Sequence, residues 1–166
     1  MQIELKELSL NDGEDIKDML QEIWPWENWF ENTGYNMNFS EYLDKYHKQS
    51  MGLNLAAWYV AQTIYRLFVD ARPVWYGKLR HSLTEHLMKN WWHIGASIRP
   101  SERGKWYGIV ILRELLKKAQ EKEITKVLLT CNEDNIASRK MIEANWGKLE
   151  NIKERCRYRI DLWGTN

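Results

Sequence analysis

Cysteine, proline and phenylalanine are scarce in this sequence, whose 166 residues include two cysteines, three prolines and three phenylalanines. The two cysteines, Cys131 and Cys156, are too few for a disulfide framework and lack the spacing of a zinc site. We therefore expect both to be reduced residues of the core. No metal site is predicted, because the four histidines also lack a metal-binding spacing.

Long apolar runs are also missing. No stretch approaches the roughly 18 apolar residues that would cross a bilayer, so we exclude a membrane-spanning protein. The first six residues alternate apolar and polar side chains and do not have the basic and then apolar layout of a signal peptide. We expect a cytoplasmic protein, and the length of 166 residues predicts a single domain over residues 1–166.

The sequence also lacks an excess of charge of either sign. Lysine and arginine total 24, aspartate and glutamate total 23, and the formal net charge is +1. A polyanion gains no net electrostatic attraction from such a chain, so we do not expect a nucleic acid as a partner.

The sequence does contain a regular series of apolar patterns that predict strands and helices. Their order, β, α, α, β, β, β, α, β, α, β, is typical of an α/β domain with a mixed sheet. The clearest element is a helix over 105–121, and its predicted apolar face consists of Ile109, Leu112, Leu116 and Ala119. The strands are expected at 2–9, 63–70, 73–83, 93–99 and 126–131, with one or two antiparallel strands over 148–162, and the other helices near 14–23, 39–49 and 135–145.

The segment over 98–108 joins a predicted strand to this helix through a short polar turn. Such a junction directs free backbone N–H groups and the positive end of the helix dipole at one point, which is how proteins bind phosphate or pyrophosphate. Arg103 and Lys105 would add cationic contacts. The alternative is an ordinary connection whose basic side chains are simply solvated.

At this segment the sequence resembles the GCN5-related N-acetyltransferase (GNAT) family, and the resemblance extends over about residues 63–162. The family's acetyl-coenzyme A motif is Q/R-x-x-G-x-G/A, and residues 103–108, Arg-Gly-Lys-Trp-Tyr-Gly, match it at the first and last positions. Residues 132–143 look like the family's strand-to-helix segment, whose asparagine, here Asn135, lies near the pantetheine arm. The resemblance implies an α/β fold with one GNAT domain, in which a mixed, splayed sheet is flanked by helices.

The resemblance also implies acetyl-CoA as the co-substrate and a primary amine as the acceptor of its acetyl group. The sheet would splay between the strands over 93–99 and 126–131, which would pair in parallel, and the pantetheine would enter that gap. The backbone amide near Ile98 would polarise the thioester carbonyl as charge develops on it. The residues that would bind the cofactor are Ile98, Arg99, Arg103, Gly104, Lys105, Trp106, Gly108 and Asn135.

At two positions the sequence departs from the family pattern. Trp106 stands where the family has a glycine that lets the backbone approach the pyrophosphate, so its indole competes with the cofactor unless it turns away. The family's usual tyrosine proton donor falls on Ile142, which cannot donate a proton. The catalytic candidates are then Glu85 and His93 as bases, acting directly or through water, and Tyr107 as the donor, with Tyr158 as a second possible donor.

Tryptophan is unusually abundant, with ten residues against nine glycines. Trp91, Trp92, Trp106 and Trp146 occupy positions where turn chemistry favours glycine. Two hypotheses follow: an engineered, catalytically silent GNAT variant that binds or self-associates through its aromatics, or a natural divergent homologue with tryptophans in its core. We expect Trp91 or Trp92 to be covered by another chain, a ligand or a neighbouring tryptophan, with a homodimer as the first choice. The aromatic loop over 24–30 either lines an acceptor pocket or covers the core.

Overall fold

The computed structural model describes residues 1–163, except for the side chain of Asn90. Its strands are β1 (Ile3–Glu7), β2 (Trp26–Glu27), β3 (Phe30–Glu31), β4 (Gln62–Val69), β5 (Arg72–Arg80), β6 (Ile94–Ile98), β7 (Lys126–Cys131), β8 (Lys148–Ile152) and β9 (Cys156–Asp161). Its helices are α1 (Glu14–Glu22), α2 (Phe39–Ser50), α3 (Glu85–Asn90), α4 (Tyr107–Glu121) and α5 (Ile136–Glu143), and a 3₁₀ turn over Pro100–Glu102 precedes α4.

These elements follow the predicted order, with β2, β3 and α3 as additions. β2 and β3 form a hairpin whose turn residues, Asn28 and Trp29, have φ values of 48° and 66°. Such a turn favours Asn followed by Gly, so the tryptophan hides the signal in the sequence. α3 lies in a predicted connector and begins with a hydrogen bond of 3.2 Å from the N–H of Leu87 to the hydroxyl of Thr84.

The larger strands form two antiparallel sheets that separate at one edge. One sheet has the order β1-β4-β5-β6 and the other the order β7-β9-β8. Every strand pair within residues 1–163 is antiparallel. β6 and β7 are the edge strands on either side of the separation, so the predicted splay is confirmed.

The predicted parallel pairing of the strands over 93–99 and 126–131 is wrong, because β6 and β7 lie in different sheets. His93 joins them instead. Its N–H donates to the carbonyl of Leu128 at 3.0 Å, and the N–H of Leu128 donates to Nδ1 of His93, also at 3.0 Å. Beyond this contact, which we call the His93 clamp, β6 and β7 line the same cavity. The cavity takes the place of a continuous ladder of hydrogen bonds.

Apolar side chains are buried in two clusters on opposite faces of the four-stranded sheet. One cluster includes Leu67 and Trp75 and packs against α4, and the other includes Ile64 and Tyr76 and packs beneath α1 and α2. Alternate strand residues point to opposite faces, so β4 and β5 serve both clusters. Ile109, predicted on the buried face of α4, is half-buried because it borders a cavity. The buried residues of α4 are Ile111, Leu112, Leu115, Leu116 and Ala119.

Both cysteines are buried and free, as predicted, and Cys131 of β7 is paired with Cys156 of β9. Burial, reinforced by Cys156, raises the pKa of the Cys131 thiol to about 11. In the part of the chain that the structure describes, no helix combines the length and the apolar character needed to span a membrane. The cytoplasmic location stays a prediction.

Candidate active site

A cavity of about 350 Å³ occupies the gap between β6 and β7. Its walls come from the edges of both sheets, from α4 and from α5, and they are mostly apolar. The residues that line it include Trp75, Ser97, Ile98, Leu115, Leu129 and Cys131.

A second cavity, of about 400 Å³, lies at the N-terminus of α4. It is bordered by the turn before α4 and by the exposed side of α5. The two cavities are adjacent, and together we call them the cleft, because they have these lining residues in common: Ile98, Gly104, Ala137, Ser138 and Met141.

The backbone of β6 has hydrogen-bonding groups on the edge that faces the cleft. The N–H of Arg99 donates to the carbonyl of Val74 at 2.9 Å, and the N–H of Arg80 donates to the carbonyl of His93 at 2.7 Å. Within β6 the backbone groups of odd-numbered residues therefore bond to β5, and those of even-numbered residues point the other way. The N–H of Ile98 is consequently directed to the cleft, where the resemblance expects the amide that polarises a thioester.

The N-terminus of α4 supplies further donors, at the second cavity. The first N–H groups of an α-helix have no partner within the helix, and α4 begins at Tyr107. Within residues 1–163, the N–H groups of Gly104, Lys105 and Trp106 donate to no backbone acceptor. Gly104 has a φ of 77° and open space above its Cα. The turn therefore presents a row of free donors, which is the arrangement that binds phosphate.

α5 contributes a cap and a close helix contact to the cleft. Oδ1 of Asn135 accepts a hydrogen bond of 3.1 Å from the N–H of Ser138, and both residues line the cleft. Gly108 of α4 lies directly against α5, since a Cβ at this position would be 3.0 Å from Sδ of Met141. Glycine at 108 thus lets the two helices that border the cleft approach each other.

Two of the predicted phosphate-binding cations are paired with carboxylates. Nη1 of Arg103 donates to Oε1 of Glu27 at 3.0 Å, and its Nη2 donates to Oε2 of the same side chain. Nζ of Lys105 donates to Oε2 of Glu102 at 2.8 Å, and this hydrogen bond lowers the pKa of Glu102. A phosphate would have to compete with both carboxylates.

The third cation, Arg99, is held at the end of α1. Its Nε donates to a carboxylate oxygen of Glu22, whose other oxygen accepts from the N–H of Ser101 at 2.8 Å. Partial burial raises the pKa of Glu22, but the hydrogen bonds from Ser101 and Arg99 outweigh it and lower the pKa to about 2. Glu22 is therefore ionised at neutral pH and orders the turn that leads to α4.

Trp106 occupies the position before α4 with a φ of 63°, and its side chain makes no capping hydrogen bond. The side chain is 74% exposed, yet it borders the second cavity. The indole therefore lies at the mouth of the phosphate end of the cleft rather than within the gap between the sheets.

Tyr107 and Glu85 have different surroundings. Tyr107 is half-buried and borders the second cavity, at the first residue of α4. Glu85 is exposed at the start of α3 and borders a separate, charged cavity of about 680 Å³ with Arg155 and Arg157. The structure thus brings Tyr107, but not Glu85, to the cleft.

His93 is buried in the clamp between the sheets, where its Nδ1 already accepts from Leu128. Burial, and then the positive charge of Arg80, lower the pKa of His93 to about 4, so the ring is neutral at physiological pH. Tyr158 is also buried, and its hydroxyl donates to Glu143 at 2.7 Å. Neither side chain is among the described residues that line the cleft.

Two tryptophans, Trp75 and Trp92, line the gap between the sheets. Trp75 is fully buried and packs directly on Gly77: a Cβ on residue 77 would lie 2.1 Å from Cη2 of Trp75, so only glycine fits there. Trp92 also lines the gap and stacks on Trp91, with ring centroids 5.6 Å apart. The expectation that a neighbouring tryptophan covers one of Trp91 and Trp92 is confirmed, whereas the homodimer stays a prediction.

The loop over 24–30 covers the core, as one of the two alternatives has it, and also borders the cleft, whereas its place at an acceptor pocket stays a prediction. Phe30 is buried in the cluster beneath α1 and α2 and also lines the cleft. Glu27 and Asn28 border the cleft as well. Local sequence patterns did not reveal that Glu27 and Asn28 lie at the cleft, because Trp29 stands where glycine would have indicated the turn of this hairpin.

Solved acetyltransferase structures share this fold. An N-acetyltransferase from Staphylococcus aureus superposes with a TM-score of 0.66 at 12% identity, over 98% of this chain and 99% of that one. N-acetyltransferase PseH from Campylobacter jejuni, in complex with acetyl coenzyme A, superposes with a TM-score of 0.61 at 12% identity, over 96% of this chain and 99% of that one. Mutant forms of the spermidine/spermine N-acetyltransferase SpeG from Vibrio cholerae superpose with a TM-score of 0.64 at 14% identity, over 97% of this chain and 95% of that one.

At these identities the likeness shows the fold alone. A comparison with curated proteins finds no significant match. The family model for the acetyltransferase (GNAT) family matches residues 16–147, which is most of the sequence and includes the cleft-lining parts of β6, α4, β7 and α5. The chain therefore belongs to the GNAT acetyltransferase family.

Proposed function

We propose that this protein transfers the acetyl group of acetyl-CoA to a primary amine. The observation that carries the proposal is the cleft, which has a backbone donor at Ile98 in the gap between the sheets and free donors at the N-terminus of α4. Membership of the GNAT family supports it, as does the fold shared with PseH, whose structure contains acetyl coenzyme A.

The residues of the cleft fit this co-substrate. Backbone groups of β6 around Ile98, on the edge that faces the gap, would bond to the pantetheine arm. The free N–H groups of residues 104–106 and the side chains of Arg103 and Lys105 would hold the pyrophosphate. Asn135 would lie beside the pantetheine.

For the chemical step, acetyl-CoA supplies an activated thioester. The N–H of Ile98 would stabilise the charge that develops on its carbonyl oxygen as the amine attacks. Tyr107 is our candidate for protonating the departing thiolate, because it borders the cleft. Glu85 stays the candidate base for the amine and would act through water, since the cleft lining does not include it. His93, the other candidate, has its Nδ1 lone pair occupied by the N–H of Leu128, so it is not free to take a proton while the clamp is intact.

The test is calorimetric titration with acetyl-CoA, followed by an assay of free thiol release with a panel of amines. The panel should include spermidine, because SpeG is a spermidine/spermine N-acetyltransferase. We expect micromolar binding and amine-dependent release of thiol. Absence of binding by both the wild type and Trp106→Gly would overturn the proposal.

The second candidate is a catalytically silent binding or self-associating protein on the GNAT scaffold. The exposed indole of Trp106 at the phosphate end of the cleft favours it. No detectable heat with the wild type, together with clear binding of acetyl-CoA by Trp106→Gly, would support this second function.

A further inference from the structure

The hairpin over 26–31, which we call the hairpin strap, lies across the opening of the cleft. Glu27 and Asn28 border the gap between the sheets, and Phe30 lines it from a buried position, with its ring 5.2 Å from that of Tyr76. The strap is thus anchored at Phe30 and reaches over the cleft through its turn.

On the β6 side, the strap is attached through Glu27. Both Nη atoms of Arg103 donate to its carboxylate in a bidentate pair. The same edge of a guanidinium matches two oxygens of a phosphate equally well. The carboxylate of Glu27 and a phosphate are therefore alternative ligands of one group.

On the β7 side, the strap is attached through Trp29. Its Nε1 donates to Oδ1 of Asn132 at 3.1 Å, directly after β7. The guanidinium of Arg155 lies 4.9 Å from its ring centroid, an attractive cation–π distance. The hairpin strap therefore bridges the two sheets where they separate. Glu27 attaches it to one side of the cleft and Trp29 attaches it to the other.

We propose that the hairpin strap closes the cleft of the free protein and that a phosphate group of acetyl-CoA opens it by displacing Glu27 from Arg103. The proposal rests on the proposed function for the identity of the ligand. Binding then includes the cost of releasing the strap, so the measured affinity is lower than that of a protein whose strap is already open. Glu27 is an autoinhibitory residue in this scheme.

The test compares Glu27→Gln with Glu31→Gln, which removes the same charge from an exposed side chain of the same hairpin. Amide hydrogen exchange of residues 26–31 is measured with and without acetyl-CoA, and affinity is measured by calorimetry. Without ligand, we expect the strap amides to exchange about tenfold faster in Glu27→Gln than in the wild type. Binding of acetyl-CoA should accelerate strap exchange in the wild type by the same factor. Glu27→Gln should bind acetyl-CoA about tenfold more tightly than the wild type. Glu31→Gln should match the wild type in each measurement.

Equal strap exchange in free Glu27→Gln and free wild type would overturn the proposal, and so would unchanged exchange in the wild type saturated with acetyl-CoA. Absence of acetyl-CoA binding by both proteins would overturn it too. Exchange and affinity changes as expected, without acetylation of any amine, would support the strap and contradict the proposed function.

Discussion

Three of the described tryptophans, Trp29, Trp106 and Trp146, have φ values of 66°, 63° and 62°. A residue with a Cβ loses about 1 to 2 kcal/mol in this left-handed region, which glycine adopts freely. All three side chains are more than half exposed, so burial offsets little of that loss. The hypothesis of an engineered origin accounts for such positions, and it stays a hypothesis.

Replacement of Trp106 by glycine tests the effect of one indole on the cleft. We expect Trp106→Gly to raise the free energy of unfolding by about 1 kcal/mol, because the positive φ is relieved, and to tighten binding of acetyl-CoA at least about tenfold. Trp146→Gly is the matched control, since Trp146 has the same φ and lies outside the cleft lining. Urea unfolding and calorimetry measure both variants. Equal affinity changes in the two would contradict a specific role for Trp106.

Lys78 gives a prediction about pH. Its Nζ donates to the carbonyl of Glu31 at 3.0 Å in a buried site, and burial, then the charge of Arg80, lower its pKa to about 7. Between pH 7 and 9 the unfolded chain holds a proton that the folded protein releases. The free energy of unfolding should therefore rise with pH, with a contribution of up to about 1.4 kcal/mol per pH unit.

Lys78→Met removes the titrating group and keeps an apolar stem of similar length. We expect a flatter dependence of stability on pH and greater stability at pH 7, because an unfavourably buried charge is gone. Urea unfolding at several pH values between 7 and 9 measures both effects. The same slope in Lys78→Met and in the wild type would show that other groups set the dependence.

At the level of elements, the His93 clamp decides where the two sheets separate. The N–H of Leu128 and Nδ1 of His93 satisfy each other between β6 and β7. His93→Phe would leave this N–H unpaired at a cost of about 1 to 3 kcal/mol, whereas the side-chain oxygen of His93→Asn can still accept from it. We expect faster amide exchange at Leu128 in His93→Phe than in His93→Asn. Equal exchange would show that the clamp does not hold β7.

The same residue contributes to acid sensitivity. The pKa of His93 is about 4 in the fold, below its ordinary value of 6.5, so the unfolded chain binds the proton more readily as the pH falls. The free energy of unfolding should decrease from pH 6.5 to pH 4, and less so in His93→Asn. Unfolding in urea across this range measures the difference, and parallel curves would contradict it.

For the molecule as a whole, the homodimer stays a prediction, although the exposed indoles that would form its interface are not the expected Trp91 and Trp92. Trp91 and Trp92 cover each other, whereas Trp24 and Trp26 are 60% and 57% exposed. Exposed indoles are enriched in protein interfaces, so we expect a homodimer whose interface includes Trp24 and Trp26. Light scattering over a concentration series should give twice the monomer mass for the wild type, and the monomer mass for a variant with Trp24→Ser and Trp26→Ser. A monomer mass for the wild type at every concentration would exclude the dimer.

Much of the molecule follows from local patterns. The strand over Lys126–Cys131, the amphipathic helix α4 and the polar turn before it are visible in the sequence, because alternation, helical spacing and turn residues act over a few neighbours. The motif over 103–108 was likewise enough to indicate the family and the phosphate end of the cleft.

Long-range contacts were decided only in the folded chain. Arg103 was assigned to phosphate from its neighbours in the sequence, but its partner in the structure is Glu27, 76 residues away. His93 was a candidate base because of its chemistry, and its burial beside Leu128 makes it a clamp between sheets. A charged or polar side chain takes its role from the groups that packing brings within hydrogen-bond distance, and no local pattern specifies those groups.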